Sequence, residues 1–150
     1  MKTLKVDAIR NGTVIDHIPA GLVLKVVNIL VPRENDIVMV GMNFPSKAIK
    51  HKDIIKIEGR ELTAEEVNSI ALIAPTAKVN IIRDFKVAKK GRVEIPDSIH
   101  GLVKCPNPKC ITNDEPSETR FTVTKRDPVT LCCDYCERVY LGSEIEYLER

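Results

Sequence analysis

Four cysteines in two pairs, Cys105-Pro-Asn-Pro-Lys-Cys110 and Cys133-Asp-Tyr-Cys136, constrain this chain more than any other feature. Each pair is a short loop able to bring two sulfurs to about 3.8 Å, the separation set by a tetrahedral zinc ion with Zn–S near 2.3 Å. Pro106, Asn107 and Pro108 are turn formers that suit the first loop. Four thiolates close the tetrahedron and leave no position for water. One ion held by Cys105, Cys110, Cys133 and Cys136 is therefore expected to be structural rather than catalytic. Lys104, Lys109 and Arg138 adjoin ligands, where they offset the negative charge of the sulfur site. A pairing of Cys132 with Cys136 is conceivable, but the spacing of Cys133 and Cys136 is the commoner zinc geometry, so Cys132 reads as a spare, packed thiol.

The cysteines also divide the chain, because none precedes Cys105. The charged, turn-rich stretch Lys89-Lys-Gly-Arg-Val-Glu-Ile-Pro-Asp97 marks a connection, and we place a domain boundary there, giving residues 1–97 and 98–150. The second part has few aromatics (Phe121, Tyr135, Tyr140 and Tyr147) and short strand-like runs at Gly101–Lys104, Phe121–Lys125 and Arg138–Leu141. An all-β domain this small cannot rely on a large apolar core and needs a staple. Structural zinc can contribute roughly 10–16 kcal/mol of apparent binding free energy to such a domain.

Composition excludes several classes. With 43% apolar and 29% charged residues the chain has a globular balance, and disorder is not expected. Its longest apolar stretch, Gly21 to Val31, is interrupted by Lys25 and Asn28 and falls short of the roughly 20 residues of a membrane span. The start, Met1-Lys-Thr-Leu-Lys-Val-Asp, lacks the apolar core of a signal peptide, so a cytoplasmic protein with reduced thiols is expected. The net charge of +2, with acids and bases interleaved, argues against a general nucleic-acid binder.

The first part alternates strand and helix signals. Leu4–Ile9 alternates apolar and polar residues, Asn11-Gly12 signals a turn, and Thr13–Ile18 is a second strand. Pro19 can open a helix in which Leu22, Val23, Val26, Val27 and Leu30 share a face. Strands are expected over Ile37–Met42 and Asp53–Glu58. Thr63-Ala-Glu-Glu66 is a capping box opening a helix with Val67, Ile70, Ala71 and Ala74 on one side, stopped by Pro75. Lys78–Arg83 and Phe85–Val87 return to strand. This order, β-α-β-β-α-β after an extra N-terminal strand, is the split βαβ pattern. The fold class is thus α+β, with a ferredoxin-like antiparallel sheet carrying two helices on one face and a small C-terminal all-β zinc domain.

Some polar residues point beyond packing. The Asp16-His17 pair has no nucleophile marked as its partner, so a ligand contact or a turn is the expected role. Lys52 and Lys56 are evenly spaced on one strand and project from one side, where Lys90 can join them around a phosphate. A solvated, lysine-rich edge is the competing reading, and no glycine-rich phosphate loop decides between them.

Several runs taken together resemble the aspartate carbamoyltransferase regulatory chain family. They are Val6-Asp-Ala-Ile9, Gly12-Thr-Val-Ile-Asp-His-Ile-Pro19, Lys52-Asp-Ile-Ile-Lys-Ile-Glu58, Ala74-Pro75 with Val79-Asn80, and Cys105-Pro-Asn-Pro-Lys-Cys-Ile111. They occur in family order over essentially the whole chain. The resemblance implies a non-catalytic subunit in pyrimidine biosynthesis that pairs with a second copy through its N-terminal domain. Its zinc domain would dock a carbamoyltransferase catalytic chain, with Asn107, Lys109 and Glu137 as contacts. It implies binding of nucleoside triphosphates, CTP and ATP, in the first domain. Carried over, the nucleotide site comprises Val6, Asp7, Ala8 and Ile9 along a strand edge, Asp16 and Lys56 at the ribose and base, and His17, Lys52 and Lys90 near the phosphates. Ile54 and Ile82 would pack on the base, with Asn80, Phe85 and Val87 completing the wall. The alternative, a zinc-ribbon nucleic-acid binder, needs a basic face in residues 101–150. That segment instead contains Asp114, Glu115, Glu118, Asp134, Glu137, Glu144, Glu146 and Glu149.

Overall fold

Gly12 to Pro19 forms β1, the central strand of a five-stranded antiparallel sheet. The computed structural model describes residues 8–30, 34–115 and 117–148, and the chain divides into two units, Met1–Glu94 and Ile95–Arg150. After β1 come α1 (Val23–Leu30), β2 (Ile37–Ser46), β3 (Lys50–Glu58), α2 (Ala64–Asn68), β4 (Lys78–Arg83) and β5 (Lys86–Arg92), with sheet order β2-β3-β1-β4-β5. The first four strands take the order of a split βαβ fold, and β5 extends one edge.

Alternation divides the sheet into two faces. Ile15 pairs with Ile55 and Val79, and Thr13 with Ile57 and Ile81, so these six side chains form the buried face. Val23, Val26, Ile29 and Leu30 of α1 are buried, and α1 packs on β3. Around α2, Leu62, Val67, Ile70, Ala71 and Ala74 complete the core. The fully buried Thr13 hydroxyl donates to the Arg60 carbonyl at 2.8 Å and accepts from the Leu62 N–H at 3.0 Å. A buried hydroxyl satisfied in both roles carries no desolvation debt.

Several element boundaries differ from the sequence expectation. Pro19 ends β1 rather than opening a helix, because a bulge between Ile15 and Ile18, with His17 at φ 60°, lengthens the strand. The helix instead begins at Val23 over the buried Asp53 carboxylate, which accepts the Gly21, Val23 and Asn43 N–H groups at 2.8, 3.1 and 2.8 Å. The helix opened by Thr63 extends only to Asn68. Beyond it, Ile70, Ala71 and Ile73 bond to carbonyls three residues back, so the apolar residues that suggested a longer helix sit on successive tight turns. Strands β2 and β3 run on to Ser46 and back to Lys50. Of the expected N-terminal strand, Leu4–Asp7 lies outside the described residues, and Ala8 and Ile9 are in no strand.

The second unit is all-β with two short 3₁₀ turns. β6 (Ser98–His100), β8 (Arg120–Arg126), β9 (Val129–Cys133) and β10 (Val139–Leu141) form a sheet of order β10-β9-β8-β6. A separate pair joins β7 (Val103–Lys104) and β11 (Glu146–Tyr147). Phe121, Leu131, Val103 and Ile99 supply nearly all of its apolar core. The α+β fold class expected from the sequence is the one observed.

Candidate functional site

In the second unit, β7 leads into Cys105 and β9 ends on Cys133, so two strand ends aim the two ligand loops at one point. The sulfurs of Cys105, Cys110, Cys133 and Cys136 all lie within 4.8 Å of one another. Cys105 and Cys136 Sγ are 3.7 Å apart, and Cys110 and Cys133 Sγ are 3.8 Å apart. A disulfide requires about 2.05 Å, whereas a zinc tetrahedron requires about 3.8 Å. The donor set therefore fits one tetrahedral zinc, with no position left for substrate.

The loops are built around these sulfurs. The Asn107 backbone N–H donates to Cys105 Sγ, those of Tyr135 and Cys136 to Cys133, and that of Arg138 to Cys136. Burial pushes the Cys105 and Cys133 thiols up, and neighbouring sulfurs add to the effect. For Cys136 burial acts the same way but is outweighed by the Arg138 N–H and Asn107, which bring it down to about 7. When bound, the metal supplies a cross-link and the positive charge that lets the four clustered sulfurs ionise together. Asn113 Nδ2 donates to the Cys105 and Asn107 carbonyls at 3.1 and 2.7 Å, closing the first loop. Asn107 is 8% exposed, and its side-chain oxygen accepts the Lys109 N–H and so braces the loop. Lys109 and Glu137 are exposed. Cys132 projects from the opposite side of β9 to Cys133 and lies outside the cluster.

The first unit presents a different surface. Its helix-free face carries the residues that alternate with those of the core, and the ladder aligns them in rows. Val14 pairs with Lys56 and with Asn80, and Asn80 pairs with Lys90. One step along, Gly12 pairs with Ile82, which pairs with Val87. One step the other way, Asp16 pairs with Lys78, which pairs with Arg92. A cavity of about 390 Å³ opens on this face, lined by Asp16, His17, Lys78, Asn80, Lys90, Gly91 and Arg92.

Lys52 Nζ lies 3.0 Å from Asp16 Oδ1 and 3.1 Å from Oδ2, and the His17 backbone N–H donates to Asp16 at 2.7 Å. Asp16 is thus committed to Lys52 and to the bulge. The His17 Nδ1 atom is buried and lacks a hydrogen-bond partner among the described residues. Asp16, His17, Asn80 and Lys90 line the cavity, with Lys52 paired to its rim. Lys56, Ile82 and Val87 are on the same face. Ile54 is opposite Gly41 beside the bulge, in a different row from Ile82. Phe85 stands 65% exposed on the β4–β5 turn, whose N–H donates to the Arg10 carbonyl at 2.9 Å and brings the Ala8–Asn11 segment alongside. Ile9 is buried, Ala8 is exposed, and Val6 and Asp7 lie outside the described residues. Lys78, Gly91 and Arg92 were not signalled by the sequence reading, although Lys78 is two residues from Asn80, as Arg92 is from Lys90.

Comparison with known proteins bears on both units. Residues 4–94 match the model of the aspartate carbamoyltransferase regulatory chain, allosteric domain, and residues 97–146 that of the same chain's metal binding domain. The chain is 54% identical over 148 residues to the aspartate carbamoyltransferase regulatory chain of Pyrococcus abyssi, covering 97% of each. It is 52% identical over 147 residues to that of Thermococcus gammatolerans, again covering 97% of each. With that of Methanothermobacter thermautotrophicus it shares 52% over 145 residues, covering 95% of this chain and 93% of the relative.

Proposed function

Since the chain belongs to the aspartate carbamoyltransferase regulatory chain family and is a non-catalytic subunit, we propose that residues 1–97 bind CTP and ATP and residues 98–150 dock a carbamoyltransferase catalytic chain. The single observation that carries the nucleotide reading is the helix-free sheet face. A row of Ile82 and Val87, with the exposed Phe85 beyond it on the β4–β5 turn, stands next to the row of Asn80 and Lys90 that lines the cation-bearing cavity. A base is apolar and planar, and a triphosphate carries several negative charges, so the two ends suit the two ends of one ligand. Lys56 and Asn80 stand in the row next to Ile82, where ribose hydroxyls and base edges need polar partners, and Asp16 stands one row further on. The Ala8 and Ile9 backbone would complete the base end.

The metal serves the docking role. It supports a rigid loop pair whose exposed flanks, Lys109 and Glu137, are available to a partner. Pairing of two copies through the first unit is supported by β2, an open sheet edge on which Ile37, Val40 and Met42 are 57%, 41% and 48% exposed. In this reading CTP and ATP act by binding two quaternary states unequally. A nucleotide that bound both states equally would shift nothing. Isothermal titration of the full chain with CTP and with ATP tests the site: saturable binding is expected for both, and heat indistinguishable from dilution for both at millimolar concentration contradicts it.

A further inference from the structure

The outward side chains of β4 rise in sequence from apolar to cationic: Ile82, Asn80, Lys78. At about 3.3 Å per residue, Lys78 stands roughly 13 Å along the strand from Ile82. That distance separates a base-sized apolar patch from the far end of a phosphate chain. Across the ladder Lys78 lies between Asp16 and Arg92, and it lines the same cavity as Lys90 and Arg92. Among the described residues, none of Lys78, Lys90 and Arg92 forms an ion pair, and the one carboxylate of the wall, Asp16, is taken by Lys52. Three uncompensated cations thus surround one concavity. All three are exposed, so water and salt already screen their repulsion; a bound anion adds a direct attraction, and each phosphate added to a ligand brings charge closer to Lys78.

We propose that Lys78 is a phosphate ligand at the terminal end of this pocket, a specificity residue through which the site distinguishes nucleoside triphosphates from diphosphates and monophosphates. This rests on the nucleotide reading of the pocket. Lys90, one row nearer the apolar end, meets the phosphates closer to the ribose, and Lys78 the outermost.

The test is titration of the full chain, wild type and Lys78→Met and Lys78→Arg variants, with CTP, CDP and CMP at low and moderate salt. Lys78→Met is expected to weaken CTP about tenfold and to leave CMP within about twofold, since only the longer ligand reaches position 78. Lys78→Arg should recover most of the CTP affinity, and the wild-type advantage should shrink with salt. Equal binding of all three ligands by wild type and Lys78→Met, with CTP still bound, overturns the proposal and leaves the nucleotide reading standing. Equal weakening of CTP and CMP assigns Lys78 a role in pocket shape and also overturns it. If the wild-type chain binds none of the three, the nucleotide reading itself fails and the proposal with it.

Discussion

Gly12 is held at φ 145°, and a Cβ built there would stand 2.0 Å from the Ile57 carbonyl oxygen. The backbone of β1 therefore approaches β3 as closely as only glycine allows, at the strand whose outward residues Val14 and Asp16 floor the helix-free face. Gly12→Ala is expected to cost at least about 2 kcal/mol, from the strained φ and from separating the central strands. Urea denaturation of the full chain, followed by far-UV signal, would read the shift in midpoint. An unchanged midpoint would mean that β1 and β3 move apart at little cost. The sequence marks Gly12 only as part of an Asn-Gly turn, because close approach is set by a partner strand about 45 residues away. Asp53 was equally hidden: it reads as the start of a strand, yet its buried carboxylate gathers three N–H groups from two other elements. By contrast, Asp16, His17, Asn80 and Lys90 were placed in the nucleotide site by family resemblance, and they line one cavity. Lys78 and Arg92 escaped notice, since nothing local separates a lysine facing a pocket from one facing solvent.

Among the elements, α2 shows how far a local signal reaches. The Thr63 hydroxyl accepts the Glu66 N–H at 3.2 Å and the Glu66 carboxylate accepts the Thr63 N–H at 3.1 Å, so the box legible in Thr63-Ala-Glu-Glu66 forms. The helix end was not legible. The spacing of Ile70, Ala71 and Ala74 is helical, but tertiary burial can be satisfied by turns of similar pitch. Glu66 also pairs with Arg60, which reaches Asp36 at 2.9 Å. For the Glu66 carboxyl, burial raises the pKa, but the Thr63 N–H and the Arg60 guanidinium outweigh it and hold the value below the ordinary range. The folded state thus binds a proton less readily than the unfolded chain. The contribution of Glu66 is complete above the ordinary carboxylate range and is lost as pH falls through its depressed folded value. Glu66→Gln should cost about 1 kcal/mol at neutral pH, chiefly from the lost ion pair with Arg60 since the Gln amide oxygen can still accept the Thr63 N–H, and much less in acid. Urea midpoints of both proteins across the acid range would check this, and a difference independent of pH would contradict it. The strand β9 shows the opposite failure: Val129, Leu131 and Cys133 alternate with Thr130 and Cys132, but the five-residue run overlaps the metal motif, which drew the reading to itself.

At the scale of the whole molecule, labour is divided between two units. Unit 1 has an ordinary apolar core under a sheet whose free face collects cations. Among its described residues unit 2 has only a thin core of Phe121, Leu131, Val103, Ile99 and Ile145, and its four clustered cysteines hold the loops that the core cannot. The metal ligands were readable from spacing because tetrahedral coordination dictates distances that short loops either meet or miss. The proposed nucleotide face was readable only in part, because it is assembled from four strands whose order appears only after folding. Regulation, as proposed, belongs to neither unit alone but to the assembly.

The most direct measurement is the activity of a carbamoyltransferase catalytic chain reconstituted with this protein, with and without CTP or ATP, using wild-type chain and Cys133→Ser. Nucleotide should change the rate only in the wild-type assembly, while Cys133→Ser should lose zinc, fail to dock and leave the catalytic chain indifferent to nucleotide. Rates unaffected by either nucleotide in the wild-type assembly would contradict the account. So would nucleotide sensitivity that persists in a Cys133→Ser assembly shown to be free of zinc.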